Sequence, residues 1–225
     1  MEVTYHGHAT FHLTLGGHSI ILDPFLSGNE KAVARPEDIS CTLMLLSHGH
    51  QDHVLDAVAI AERTGCQVIS NYEIITWLGE QGISNGQAMN HGGKVSTDFG
   101  SVKYVNAVHS SVLPDGTYGG NPGGFIIHHA GKEYYYAGDT ALTLDMELLG
   151  RYHELEMAFL PIGDVFTMGV EDAVRAAKMV GVKTVIGMHF DTWPPLEIDH
   201  ADAKARFASE GIELHLMEIG EKKTF

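Results

Sequence analysis

Three imidazoles and a carboxylate, His48, His50, Asp52 and His53, crowd into the short run Ser47-His-Gly-His-Gln-Asp-His53. Imidazole suits zinc, iron and other first-row metals, and mixed imidazole and carboxylate ligation suits an ion that keeps an open coordination position. Gly49, between the first two imidazoles, can take backbone angles closed to other residues. The competing reading is a polar turn that merely contains histidines. The density of donors at this spacing argues against it. Three more donors stand alone, each at the end of a predicted strand: His109, Asp139 and His189. Taken singly, each is more often a structural residue than a ligand.

The flanking elements decide what can meet. Thr42–Leu46 is short, uninterrupted and apolar, so it reads as a buried strand that presents the cluster at its C-terminal end, the usual place for a site in an α/β architecture. A helix is expected directly after the cluster, with Val54, Leu55, Val58 and Ala61 as one apolar stripe and Gly65 as its stop. Residues 2–23 read as three short strands, turned at Gly16-Gly17 and ending at Asp23 before Pro24. His6 and His8 fall on one face of the first strand, where a hydrogen-bonded structural role competes with a functional one. Gln67–Ser70 reads as a strand, followed by a helix capped by Asn71 and running to about Gln81. Residues 83–100 give no clear pattern.

Ser101–Val108 alternates like a strand and delivers His109. The long glycine-rich loop Ser110–Gly124 follows, and a loop of this length beside a donor is usually functional, often as a substrate lip. A second hairpin, Phe125–Ala130 and Glu133–Ala137, leads to Gly138-Asp139-Thr140, and Thr143 can cap a short helix. Met157–Leu160 and Thr184–Met188 read as buried strands, the second ending at His189. Between them, Val170, Ala173, Val174, Ala177 and Val180 recur at helical spacing, with Gly181 as the stop. A last helix capped near Asp199 and Asp202 and a strand Glu213–Met217 complete the chain. Each half thus has a hairpin ending in an aspartate, Asp23 or Asp139, and then a strand with polar residues at its end. This reads as a weak internal repeat. No linker separates the halves, so residues 1–225 are expected to form a single domain.

Composition limits the function classes. The chain has 225 residues, 44% hydrophobic and 19% charged, as in an ordinary soluble globule. A formal charge of −15 with scattered basic residues repels phosphate backbones and argues against a nucleic-acid partner. Fifteen histidines are many for this length, which a metalloprotein explains. The two cysteines, Cys41 and Cys66, form no Cys-x-x-Cys pair and read as buried free thiols of a reducing compartment. The N-terminus lacks signal-peptide character and no apolar run is long enough to span a bilayer, so no membrane association and a cytoplasmic location are expected. Oligomeric state is left open, a homo-oligomer included.

The motif His48-x-His50-x-Asp52-His53 resembles the second motif of the metallo-β-lactamase superfamily. Tyr5-His-Gly-His-Ala-Thr-Phe11, Ile20-Ile-Leu-Asp-Pro-Phe-Leu26 and Tyr118-Gly-Gly-Asn-Pro-Gly-Gly-Phe125 narrow the resemblance to small metal-dependent hydrolases related to ascorbate-6-phosphate lactonase. The likeness covers almost the whole chain. It implies an αββα sandwich of two facing mixed β-sheets with helices outside, in agreement with the internal repeat. It also implies a dinuclear centre: His48, His50 and His109 on one ion, Asp52, His53 and His189 on the other, and Asp139 bridging. Zinc is the foremost choice, with manganese, iron or nickel as alternatives. Asp23 matches the superfamily's first motif, a carboxylate outside the ligand set that would hold the second ring nitrogen of a ligating imidazole.

Two ions about 3.5–4 Å apart can share a hydroxide nucleophile, which removes the need for a serine or cysteine. On this view Asp52 and Asp139 are catalytic as well as ligating, Ser47 is a turn residue, and His8 is the candidate by position for protonating the leaving group. The expected reaction is hydrolysis of a lactone or other carboxylic ester in a small-molecule substrate. A phosphodiesterase acting on a small or nucleotide-like substrate is the alternative, and a non-catalytic metal-binding protein is a third reading, since the fold hosts many chemistries.

Overall fold

The computed structural model describes all 225 residues, which divide into two compact units. The first comprises Met1–Gly93, Ser110–Pro122 and Glu218–Phe225, and the second Lys94–His109 and Gly123–Met217.

In the first unit, β1 (Glu2–Gly7), β2 (Thr10–Leu15) and β3 (His18–Leu22) form an antiparallel meander. Gly16 and Gly17 make the β2–β3 turn at φ of 56° and 88°, a left-handed conformation that glycine adopts freely. From β3 the sheet becomes parallel, through β4 (Leu43–Leu45), β5 (Gln67–Asn71) and β6 (Gly86–Met89). Parallel neighbours need crossovers. Between β4 and β5 these are α1 (Gln51–Val54) and α2 (Ala57–Thr64), and between β5 and β6 it is α3 (Tyr72–Glu80). The apolar cluster beneath these helices is closed by Ile21, Met44, Leu46, Ile60, Val68 and Leu78, all fully buried.

The helix expected after the metal motif is therefore not continuous. The Asp56 carboxylate accepts hydrogen bonds from Leu26 N at 2.6 Å, Ser27 N at 3.0 Å and Ser27 Oγ at 2.5 Å, which ties it to the Pro24–Ser27 loop and breaks the helix there. The other caps of this unit follow expectation. Gly65 ends α2 at φ 66°, and Asn71 Oδ1 accepts Ile74 N at 2.9 Å to start α3.

The second unit repeats the plan. Its strands β7 (Lys94–Thr97), β8 (Gly100–Asn106), β9 (Gly123–His129) and β10 (Lys132–Tyr136) are antiparallel. The sheet then continues in parallel through β11 (Leu155–Pro161), β12 (Thr184–Met188) and β13 (Glu213–His215), with α4 (Asp145–Tyr152), α5 (Val170–Val180) and α6 (His200–Ser209) as connections. Helix α4 begins after Leu144 rather than at Thr143. The last strand, β14 (Lys222–Thr224), returns to the first unit and pairs with β1, Val3 opposite Lys223. Each unit thus carries one mixed seven-stranded sheet, ordered β14-β1-β2-β3-β4-β5-β6 and β13-β12-β11-β10-β9-β8-β7. Asp23 follows β3 and Asp139 follows β10, so each stands where its sheet changes from antiparallel to parallel. Ligand-binding residues collect at the carboxyl ends of strands at such changes of order. No helix is long and apolar enough to cross a membrane.

Candidate metal centre

In the first unit one buried carboxylate organises the cluster. Asp23 is fully buried, and its Oδ1 accepts Ser47 N at 2.7 Å. Its Oδ2 accepts Ser47 Oγ at 2.5 Å and His53 Nδ1 at 2.8 Å. A hydroxyl has a single proton, so Ser47 Oγ, having donated it to Asp23, accepts from His48 Nδ1 at 3.0 Å. The protons on Nδ1 of His48 and His53 are thereby fixed, and both rings turn an Nε2 lone pair away from Asp23. Ser47 is thus more than a turn residue: it carries the carboxylate's influence to His48.

His48 Nε2 lies 3.0 Å from His50 Nδ1, and His50 Nε2 faces Ser110 Oγ at 3.2 Å. Two imidazole nitrogens bound to one ion at about 2.0–2.1 Å are about 2.9–3.4 Å apart over tetrahedral to octahedral angles. The spacing found between His48 and His50 fits such a donor pair. Asp52 Oδ2 is 3.0 Å from His8 Nε2 and 3.9 Å from His53 Nε2, and His8, Asp52 and His53 offer donor atoms all within 4.8 Å of one another. Asp23, His48 and His53 also group within that distance.

In the second unit Asp139 Oδ2 lies 3.0 Å from His189 Nε2 and 3.6 Å from His109 Nε2. Asp139 and His189 are buried at 2% and 1% exposure, while the His109 side chain is 14% exposed. The strand ends that deliver them are tied together. Thr140 Oγ1 accepts Val108 N at 3.0 Å, and Ala141 N donates to Val108 O at 3.0 Å. Gly163 packs so closely on the His189 carbonyl that an added Cβ would lie 2.0 Å from its oxygen. A buried carboxylate between two imidazoles is again a donor set for a divalent cation.

Backbone strain marks the same residues. His8, Asp23 and His189 are non-glycine residues with φ of 56°, 41° and 55°. Such conformations persist where the surroundings over-determine them, and they gather at functional sites. Tyr5 Oη donates to His8 O at 3.1 Å and Thr10 Oγ1 to Asp23 O at 2.7 Å, which holds two of the three.

The glycine loop is clamped to the ligand turn. Ser111 Oγ accepts Gly49 N at 3.0 Å and donates to Gly119 O at 2.9 Å, and Asn71 Nδ2 donates to the same carbonyl at 2.8 Å. A Cβ on Gly119 would lie 2.5 Å from Ser111 Oγ and 3.2 Å from Gly49 Cα, so the close approach requires glycine. Between this loop and α3 opens a cavity of about 270 Å³, lined by Tyr72, Glu73, Trp77, Glu80, Leu113 and Tyr118 among others, with no Lys or Arg. Trp77 Nε1 donates to Asp115 Oδ2 at 2.8 Å and so fastens the loop to the helix.

The roles of Ser47 and Ser111 were not legible from residue type and spacing, because a serine beside a motif is common and only its partners distinguish it. His6 differs from expectation in another way. It is buried, yet neither ring nitrogen has a hydrogen-bond partner. Burial, with His12 nearby, lowers its pKa to about 4.

The chain matches the family described as Beta-lactamase superfamily domain over residues 2–189. It is 46% identical over 223 residues to a UPF0173 metal-dependent hydrolase of Christiangramia forsetii, with 98% of both chains covered. It is 47% identical over 222 residues to a UPF0173 metal-dependent hydrolase of Flavobacterium johnsoniae, again with 98% of each covered. Among solved structures, the metallo hydrolase Igni18 of Ignicoccus hospitalis superposes with a TM-score of 0.91 at 35% identity, over 100% of this chain and 97% of that one. The fold class expected from the motifs is therefore the one adopted. The chain belongs to the metallo-β-lactamase superfamily and, within it, to the UPF0173 metal-dependent hydrolases.

Proposed function

We propose that this protein opens a lactone or another carboxylic ester of a small-molecule substrate, using two divalent ions, zinc foremost. His48, His50 and His109 would hold one ion, and Asp52, His53 and His189 the other, with Asp139 common to both. The motif resemblance to lactonase relatives supports this assignment, as do the donor spacings within each unit.

The observation that carries the choice of ester over phosphodiester is the cavity beside the ligand turn. Its wall residue Leu113 packs on Gly49, between His48 and His50, and its lining is aromatic and carboxylate without a basic side chain. In this cavity a phosphodiester would meet Glu73 and Glu80 with no basic side chain to offset them, whereas a neutral ester meets no such penalty.

Bound divalent ions supply Lewis acidity, polarising the ester carbonyl and bringing water within reach of deprotonation near neutral pH. The chain's own residues do the rest. Asp23 and Ser47 hold the Nδ1 protons of His53 and His48 and so aim both Nε2 atoms. The Asp52 side chain is 26% exposed, and its carboxylate would take a proton from the attacking water. His8 Nε2, 3.0 Å away, relays that proton to the departing alkoxide.

The test is a panel of lactones, carboxylic esters, thioesters and phosphodiesters against metal-loaded protein. Lactone or ester turnover that vanishes in a folded His50→Ala variant is expected. Turnover of phosphodiesters alone would replace this reading with the phosphodiesterase, and turnover of nothing with a non-catalytic metal protein.

A further inference from the structure

Cys41 and Cys66 take no part in the centre described above. Cys41 lies two residues before β4 and Cys66 directly before β5. These strands are parallel neighbours, Leu43 beside Gln67, and Gln67 N donates to Thr42 O at 3.1 Å. The register brings both cysteines to the same end of adjacent strands, opposite the end that carries the histidines. The two thiols perturb each other, and both belong to the apolar cluster of the first unit at 6% and 4% exposure.

The surroundings make the two thiols unequal. The hydrogen bond from the Cys41 thiol lowers the Cys66 pKa to about 7, with smaller help from the Thr64 hydroxyl and the Arg63 guanidinium. The shared bond and burial push the Cys41 thiol up. Arg63 is held there because its Nη2 donates to Pro36 O at 2.9 Å and to Ile39 O, just ahead of Cys41. A thiol of lowered pKa next to a second thiol of raised pKa, at the same end of adjacent strands, is the arrangement of an attacking and a resolving cysteine.

We infer that Cys41 and Cys66 are a peroxide-oxidisable pair that closes a disulfide across the base of the segment Thr42–Gly65. The Cys66 thiolate attacks one oxygen of hydrogen peroxide, the O–O bond breaks, and Cys66 becomes a sulfenic acid as hydroxide leaves. The Cys41 sulfur then attacks the Cys66 sulfur. An S–S bond forms, the S–O bond breaks, and the hydroxide released takes up the Cys41 proton as water. Two thiols lose two electrons and two protons, and the peroxide becomes two waters.

The segment so closed is the one that carries His48, His50, Asp52 and His53. A crosslink at its two ends restricts the unfolded chain and stabilises the folded segment. The oxidised protein should therefore melt higher than the reduced one, while its strands stay in register.

The experiment is a hydrogen peroxide titration of the full-length protein, metal-free and zinc-loaded, followed by alkylation, non-reducing digestion and peptide mass mapping. An intramolecular Cys41–Cys66 peptide is expected in both forms, reversed by dithiothreitol, together with a rise in melting temperature. Cys41→Ser should instead accumulate a dimedone-trapped sulfenic acid on Cys66, and Cys66→Ser should leave Cys41 as the thiol. Thiols that stay fully alkylatable, disulfides only between chains, or sulfinic acid without a crosslink would overturn the inference. The parent alone yields all three of these results, so they do not depend on either variant folding.

Discussion

Replacing Asp23 by Asn keeps the size of the side chain and removes its charge, at a carboxylate that receives three hydrogen bonds in full burial. Asn is also tolerated at the φ of 41° found here, so backbone strain is not part of the perturbation. The amide has two orientations and neither satisfies all three donors. With its oxygen toward Ser47 N, its NH₂ faces Ser47 Oγ and His53 Nδ1. His53 must then accept at Nδ1 and carry its proton on Nε2, the atom that would bind metal. With the oxygen toward His53, the NH₂ meets the buried Ser47 N–H, a donor against a donor, at about 1–3 kcal/mol. The first orientation lowers metal affinity by about 10–100-fold, equivalent to about 1.4–2.8 kcal/mol, and the second lowers apo stability by a similar amount. Competition titration against a chelating dye, beside a thermal melt of the apo protein, reads both. An Asp23→Asn protein that binds both ions like the parent and melts with it would refute the argument that this carboxylate sets the imidazole protons.

Three further outcomes are expected. Protein purified without chelator and supplied with zinc should carry two ions per chain by elemental analysis, and saturation at one would remove the dinuclear centre. His6 is held neutral in the folded state, with its pKa lowered from 6.5 to about 4, so its contribution is complete above pH 6.5 and is lost as pH falls through that range, by up to about 3 kcal/mol. His6→Phe should therefore be better tolerated at about pH 4.5 than at about pH 7.5 in chemical denaturation, and an equal difference at both would contradict this linkage. Gly119→Ala places a Cβ 2.5 Å from a Ser111 hydroxyl that is fixed by two hydrogen bonds, so it should cost about 1–3 kcal/mol and weaken metal binding by displacing the Gly49 turn. An unchanged denaturation midpoint and dye titration would show that the loop does not support the ligands.

Local pattern was enough for the parts of this protein that are written locally. The run Thr42–Leu46 ending in His48-x-His50-x-Asp52-His53 reads as strand and ligand turn because burial needs an unbroken apolar stretch and ligation needs clustered donors. The Asn71 cap, the Gly65 and Gly181 stops and the paired hairpins ending in Asp23 and Asp139 are equally local. Strand β14 was not legible, since Lys222–Thr224 is polar and becomes a strand only by pairing with β1. The break between α1 and α2 comes from Asp56 bonding to a loop some thirty residues earlier, a contact that helical periodicity does not encode. The same holds for the inner workings of the centre. That Asp23 reaches His48 through Ser47, that Ser111 grips the Gly49 turn, and that His6 is buried without a partner depend on side chains that meet only in the folded chain. Residue type and spacing determined which atoms could bind metal, while tertiary packing decided which ring nitrogens carry the protons and which stay open to the ion.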